Sequence, residues 1–445
     1  MAAIPYPTTP PAEPFIGHLR LFRRDTLRFL EGARDYGDIV HLRFLGRHGY
    51  MLNHPDYIHQ VLVQDAKHFT KTPMFRRNAE VVLGQGLLLS EGDFHRRQRR
   101  LLQPAFHHQR IAAYGDIMVS YTQRMMAEWG SEVTINMAEE MMRLTMQIVA
   151  KALFNADVGA EAAALGEAIT VAIETAAHRI MSAFSVPAWL PTPANRERKR
   201  QFTMLNSAIY NIIQQRRESG EDTGDLLSML LQAQDEDDGS RMSDKQVRDE
   251  VMTLFIAGHE TTANALTWTL YLLSQHPSEV ARLREELDSV LGDRSPTFAD
   301  LPNLRYTEMV VKEAMRLYPP AWILSRMPTE PITIGGYVVH PQSVVIMSQW
   351  AMHRHPNYWE EPERFDPTRF TPEKEQARPK FAYFPFGGGP RICIGNSFAM
   401  MEATLVLATI MQQYDVALAQ QHEPEPEPLI TLRPKGGLQL KLTRR

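Results

Sequence analysis

Apolar residues recur at three-to-four spacing through most of residues 56–332, the pattern that gives each helix one core-facing stripe. Four interruptions divide this stretch: Pro73, the glycines at 84–86, the proline-rich 187–193 and the polar 234–239. Alternation of apolar and polar positions, the mark of a half-buried strand, replaces it at residues 39–50, with a turn predicted at 46–49 and the strand resuming at 51–53. Two later segments also read as β: 332–347, turning at Gly335 and Gly336, and 429–442, broken at 434–437. The run EPEPEP at 423–428 is expected to be an exposed connector. The predicted class is mainly α with small β-sheets. One domain is expected over residues 1–445, with a small β-rich N-terminal part and a larger helical part.

One predicted helix stands apart. Ser243 followed by Gln246 forms a capping box, and the helical pattern then runs to His276, where Pro277 stops it. About 32 residues would span ~48 Å at 1.5 Å per residue. Apolar residues lie on nearly every face from 251 to 273, as in a helix buried through the middle of a protein. Within it stands AGHETT, residues 257–262. Thr261 and Thr262 can bond back to the carbonyls of Ala257 and Gly258, and a buried Glu260 costs desolvation unless it has a purpose or a partner. The plain reading is a harmless bend with Glu260 reaching solvent.

Composition narrows the picture further. The formal charge of -4 gives no bulk bias toward nucleic acid, and no window approaches the apolar length of a spanning helix. No membrane anchor is expected. A single cysteine excludes an internal disulfide framework and a cysteine-ligated iron–sulfur cluster, and it fits a reducing cytoplasm. That cysteine, Cys393, lies where an aromatic, glycine-rich loop runs into a helical pattern, FAYFPFGGGPRICIGNSFAMMEA at 381–403. A lone cysteine is ordinarily a small buried hydrophobe. Here Gly387, Gly388, Gly389 and Gly395 let the backbone approach something flat or charged, and the helix starting near Asn396 favours a thiolate through its dipole.

The spacing Phe386, Gly389, Arg391, Cys393, Gly395 resembles the haem-binding signature of the cytochromes P-450. The resemblance extends in order along the chain: a basic helix, the AGHETT segment, the Glu313/Arg316 pair and a later arginine. It implies haem b, iron protoporphyrin IX, held between the long helix and the cysteine-loop helix with Cys393 as iron ligand. It also assigns His95, Arg99, Arg326 and Arg391 to the haem propionates, with Phe386 in the binding loop. Glu260 and Thr261 become proton-delivering groups, and Gly258 leaves a groove for dioxygen. Glu313, Arg316 and Arg369 form a structural network; the pattern F-x-P-x-R-F favours Arg369 over Arg364. Leu88, Phe255, Ala257, Thr261, Ala321, Ile323 and Ile430 fall where relatives line the substrate cavity, though each also suits plain core. Glu313/Arg316 alone reads as a surface pair, and the arginines at 96, 97 and 100 as a solvated face or a docking surface for an acidic electron donor.

The function so implied is a monooxygenase inserting one atom of dioxygen into an apolar small molecule such as a fatty acid or terpenoid. About fifty residues follow the cysteine, so no fused reductase is expected. Electrons would come from a separate ferredoxin or flavodoxin with its NAD(P)H-dependent reductase, serving a cytoplasmic monomer. Arg47 and Tyr50 are a candidate carboxylate-holding pair. A peroxide-driven haem enzyme, a haem-thiolate gas sensor and a cofactor-free helical scaffold stand as alternatives.

Overall fold

The computed structural model describes residues 6–106, 108–157, 166, 168–171, 174–175, 190, 192–232, 241–419 and 421–445. The predicted break at 234–239 lies outside them, as does most of that at 187–193. The chain divides into two compact units, residues 1–76 with 312–393 and residues 77–311 with 394–445.

The first unit holds a five-stranded sheet. Ile39–Phe44 and Arg47–Leu52 pair antiparallel; Val344–Met347 runs parallel beside the second strand, and Leu324–Pro328 and Phe69–Thr70 follow in that order. The predicted turn at 46–49 is shorter than expected. Leu45 and Gly46 take positive φ, and Gly49 already pairs with Leu42 inside the second strand. Arg47 and Tyr50 are therefore three apart on one strand and project to opposite faces. Arg47 is exposed whereas Tyr50 is buried, which removes them as a carboxylate-holding pair. Tyr50, Leu52, Leu62 and Val345 join Phe381 and Phe384 in one core cluster, so the sheet forms the base on which the cysteine loop is laid. The predicted turn at Gly335 and Gly336 separates the paired strands Ile332–Ile334 and Tyr337–Val339.

The second unit is mainly helical. Its longest helix, Asp244–Gln275, begins at the Ser243/Gln246 capping box and has 32 residues, with burial on most faces from Val247 to Leu273. It packs most extensively on Met137–Phe154. Gly258 faces that helix, where an added Cβ would lie 3.1 Å from Val149. Close helix packing gives this glycine a structural role of its own. A sheet of Glu132–Asn136, Gln439–Arg444 and Tyr414–Leu418 was only partly foreseen, because EVTIN sits in a helical surround and finds its partner some three hundred residues away. The EPEPEP connector is half strand: Pro426–Pro428 pairs with Leu432–Pro434, and Glu427 opposes Arg433 with an ion pair at 2.9 Å. Prolines are tolerated there because a two-stranded ribbon leaves every strand an edge.

The segment after the helix Pro73–Leu83 is seated on the long helix. The Gln85 N–H donates to Asp249 at 2.9 Å and the Leu87 N–H to Glu250 at 2.8 Å. A Cβ on Gly84, which has φ +62, would lie 2.1 Å from the Asp249 carboxylate, and one on Gly86 would lie 2.2 Å from the Thr253 hydroxyl. Among the described residues no helix is long and apolar enough to cross a membrane.

Candidate active site

The cysteine loop is pinned by its backbone. Fully buried His353 accepts the Phe384 N–H on Nε2 at 3.0 Å, and burial keeps its imidazole neutral by pulling its pKa well down. Gly387 then donates to the Phe384 carbonyl at 2.9 Å, Ile392 to Gly389 at 3.0 Å and Cys393 to Phe386 at 3.0 Å. Gly389 has φ +64, and a Cβ there would come 1.9 Å from the Leu62 carbonyl oxygen; one on Gly388 would come 2.5 Å from the Phe381 ring. Residues Gln60–Gln64 form a single π-turn, a local widening of the helix, at the point where Gly389 packs. Gly388 and Gly389 are thus required by the loop's approach to its own protein, whereas the sequence reading assigned all four glycines to a ligand. The loop leaves Cys393 exposed. An exposed thiol on a fixed backbone fits a prosthetic group that takes one sulfur ligand. Among the described residues no cluster of three or more His, Cys, Asp or Glu side chains offers an alternative metal site.

Beneath the loop lies a buried ion network. Arg316 donates to Glu313 through Nε at 2.7 Å and through a terminal nitrogen at 2.8 Å, and both side chains are 0% exposed. This is no surface pair. The guanidinium also donates to the carbonyls of His353, Pro362 and Arg364 at 2.9, 2.6 and 3.0 Å and lies 5.0 Å over the Trp359 ring. Glu313 accepts the Asp366 N–H at 2.9 Å, and Arg369 Nε lies 3.4 Å away. The side chain of Arg364 instead turns outward to Glu361. The structure therefore brings Glu313, Arg316 and Arg369 together and leaves Arg364 to contribute a carbonyl.

The four proposed propionate partners fall in both units. In the first, Arg326 is half-buried on strand Leu324–Pro328 and donates to the Ser325 carbonyl at 2.9 Å, and Arg391 is half-buried on the turn Gly389–Arg391. In the second, His95 is buried and Arg99 half-buried, one turn apart on helix Gly92–Leu102. Arg96 and Arg100 are exposed, and Arg96 pairs with Asp93; Arg97 is half-buried, so the basic face is narrower than the sequence suggests.

On the long helix the AGHETT segment divides by face. Thr261 donates to the Ala257 carbonyl at 2.8 Å and Thr262 to Gly258 at 3.3 Å. His259 is buried, donates from Nδ1 to the Phe255 carbonyl at 2.8 Å and is pulled down by burial to about 4, hence neutral. Glu260 does not reach solvent. It is 4% exposed and accepts a hydrogen bond from the Thr431 hydroxyl at 2.6 Å; burial pushes it up to about 7, against the pull of Thr431 and Arg433. Sequence reading missed Thr431. The only hint was that a buried Glu260 demands a partner, and the partner is 171 residues away.

Of the proposed pocket residues, Ala257 and Leu88 are exposed, and Ala321, Ile323 and Ile430 are half-buried. Phe255 is a correction. It precedes Ala257 by two residues, about 200° around a helix, and its ring packs on Phe154 and His259, each with ring centroids 6.1 Å away. At 1% exposure it belongs to the core.

Comparison with known proteins agrees across the whole chain. The family model for cytochrome P450 matches residues 7–442. Cyclooctatin synthase of Streptomyces melanosporofaciens is 40% identical over 429 residues, covering 96% of this chain and 92% of that protein. The cyclooctat-9-en-7-ol 5-monooxygenase of the same organism is 36% identical over 92% of this chain and 88% of its own. Pentalenene oxygenase of Streptomyces avermitilis is 34% identical, covering 98% and 97%. Among solved structures, the cytochrome P450DA heme domain superposes with a TM-score of 0.90 at 28% identity, covering 99% of this chain and 98% of that one.

Proposed function

The chain belongs to the cytochrome P450 family, and from that premise we propose that it hydroxylates a terpenoid hydrocarbon, with electrons delivered by a separate ferredoxin or flavodoxin system. Family membership makes it a haem-thiolate monooxygenase with the iron ligated by cysteine, and Cys393 is its one cysteine. The haem, when bound, supplies the activation of dioxygen. The rest of the work falls to the chain. His95, Arg99, Arg326 and Arg391 would hold the propionates through charge-assisted hydrogen bonds. Thr261 and Glu260 would move protons to the oxygen undergoing reduction, and the proposed pocket residues, Leu88, Ala257 and Ile430 in one unit and Ala321 and Ile323 in the other, are aliphatic and would suit an apolar substrate.

The terpenoid reading is carried by the identity to cyclooctatin synthase, which extends over nearly the full length of both chains. It is tested by titrating the haem absorption spectrum of the holoenzyme with candidate substrates. Cyclic diterpenes and sesquiterpenes are expected to bind about tenfold or more tighter than straight-chain fatty acids, a difference of ~1.4 kcal/mol; tighter fatty-acid binding would reject the assignment. Thr261→Ala is expected to keep haem but lower product formed per NAD(P)H by at least about tenfold, with hydrogen peroxide making up the difference. Undiminished coupling would remove Thr261 from the proton route.

A further inference from the structure

Three side chains of the long helix, spaced four apart on one face, meet the hairpin of Pro426–Pro428 and Leu432–Pro434. Trp268 donates from Nε1 to the Leu432 carbonyl at 3.1 Å, Asn264 donates from Nδ2 to the Thr431 hydroxyl oxygen at 3.1 Å, and Glu260 accepts from that hydroxyl at 2.6 Å. All five residues are buried. The order of donors has a consequence. Because the Asn264 amide occupies a lone pair on the Thr431 oxygen, the hydroxyl hydrogen is left to Glu260. Thr431 is thereby fixed as a donor toward the acid. We infer that Thr431, oriented by Asn264, is the positioning residue that holds the Glu260 carboxyl ready to give up and regain a proton.

A second glutamate in the same unit provides a contrast. Glu402, on helix Asn396–Gln413, is 0% exposed, and the neighbour that draws on its carboxyl is the Thr262 side chain, with no cation acting beside it. Burial pushes Glu402 well above the usual carboxylate range, against the pull of Thr262. Glu260 is buried almost as deeply yet is held lower, by the Thr431 hydroxyl and the charge of Arg433. Arg433 is itself engaged by Glu427 at 2.9 Å and Glu174 at 2.6 Å. Among the described residues Arg433 is the charged group that acts on Glu260, and the adjacent His259 is held neutral by burial. A hydrogen bond that stabilises only the charged form lowers an acid's pKa. Ile430, a proposed pocket residue, immediately precedes Thr431 in the chain.

This rests on the reading of Glu260 as a proton donor, and two readouts keep the claims apart. The first is the carboxylic-acid stretch of Glu260 in the ferric holoenzyme, isolated as the infrared difference between the wild type and Glu260→Gln and followed against pH. Thr431→Val is expected to raise the midpoint by about one unit, tenfold in the proton equilibrium, and Asn264→Leu to raise it by less. Thr431→Ser should restore it. An unmoved midpoint in Thr431→Val, or one moved equally in Thr431→Ser, overturns the inference. The second readout is product formed per NAD(P)H against pH. Raising the pKa keeps Glu260 protonated to higher pH, so the descending limb should shift upward in Thr431→Val. A descending limb that survives in Glu260→Gln would reject the proton-donor reading itself, whatever the infrared midpoint does.

Discussion

Cys393→Ser is expected to yield a folded protein without monooxygenase turnover. The loop does not depend on the sulfur for its shape. Its backbone is held by the Cys393 N–H to Phe386, the Ile392 N–H to Gly389 and the close seating of Gly388 and Gly389 on Phe381 and Leu62. Serine preserves every one of these contacts. What it removes is a polarisable thiolate, and a thiolate is what pushes electron density onto the iron to favour cleavage between the oxygens. The measurement is the ferrous carbon monoxide spectrum together with turnover: the unusually red-shifted Soret band of a thiolate-ligated haem should vanish, with secondary structure and melting behaviour kept. Full activity in this variant would refute Cys393 as the ligand.

Arg316→Ala should instead fail at the level of folding. Removing one partner of a buried ion pair leaves the other charge stranded, at about 3–5 kcal/mol, against a net stability of roughly 5–15 kcal/mol for an ordinary protein. Here the loss exceeds a pair, because the guanidinium also satisfies three carbonyls, those of His353, Pro362 and Arg364. Glu313 would be left fully buried with only the Asp366 N–H and the more distant Arg369. The expected result is little or no soluble haem-containing protein at 37 °C. Arg364→Ala is the control. Its side chain reaches an exposed Glu361 and the carbonyl used by Arg316 survives, so stability should change by less than about 0.5 kcal/mol. Equal losses in the two variants would contradict the network.

The features readable from the chain were those fixed by neighbours in sequence. Ser243 and Gln246 are three apart and state their own helix start; Thr261 and Thr262 reach carbonyls one turn back; Gly335 and Gly336 state their own turn. Composition and spacing around Cys393 placed the loop, and F-x-P-x-R-F separated Arg369 from Arg364. What escaped was set by partners distant in the chain. EVTIN at 132–136 becomes a strand only because 439–444 lies beside it. Thr431 acquires a role only from Glu260 and Asn264. Phe255 was misplaced because an apolar residue on a helix buried on most faces carries no mark of which face it occupies. The glycines of the cysteine loop were read correctly as sites of close approach, yet for Gly388 and Gly389 the approaching surface is the protein's own.

The seating of residues 84–87 on the long helix bears on how this chain can be recombined with its relatives. Asp249 and Glu250 are consecutive, and each holds a different backbone N–H of the same short segment, while Gly84 leaves room for the Asp249 carboxylate and Gly86 for the Thr253 hydroxyl. Neither stretch can be changed alone: a side chain at Gly84 meets a carboxylate, and a shorter residue at 249 or 250 strands an amide. A chimera with a crossover between residues 90 and 240 would inherit one half of this fit from each parent. Residues 84–87 and 245–253 therefore form one inheritance block, and libraries that shuffle them independently should lose most of their folded members at that join.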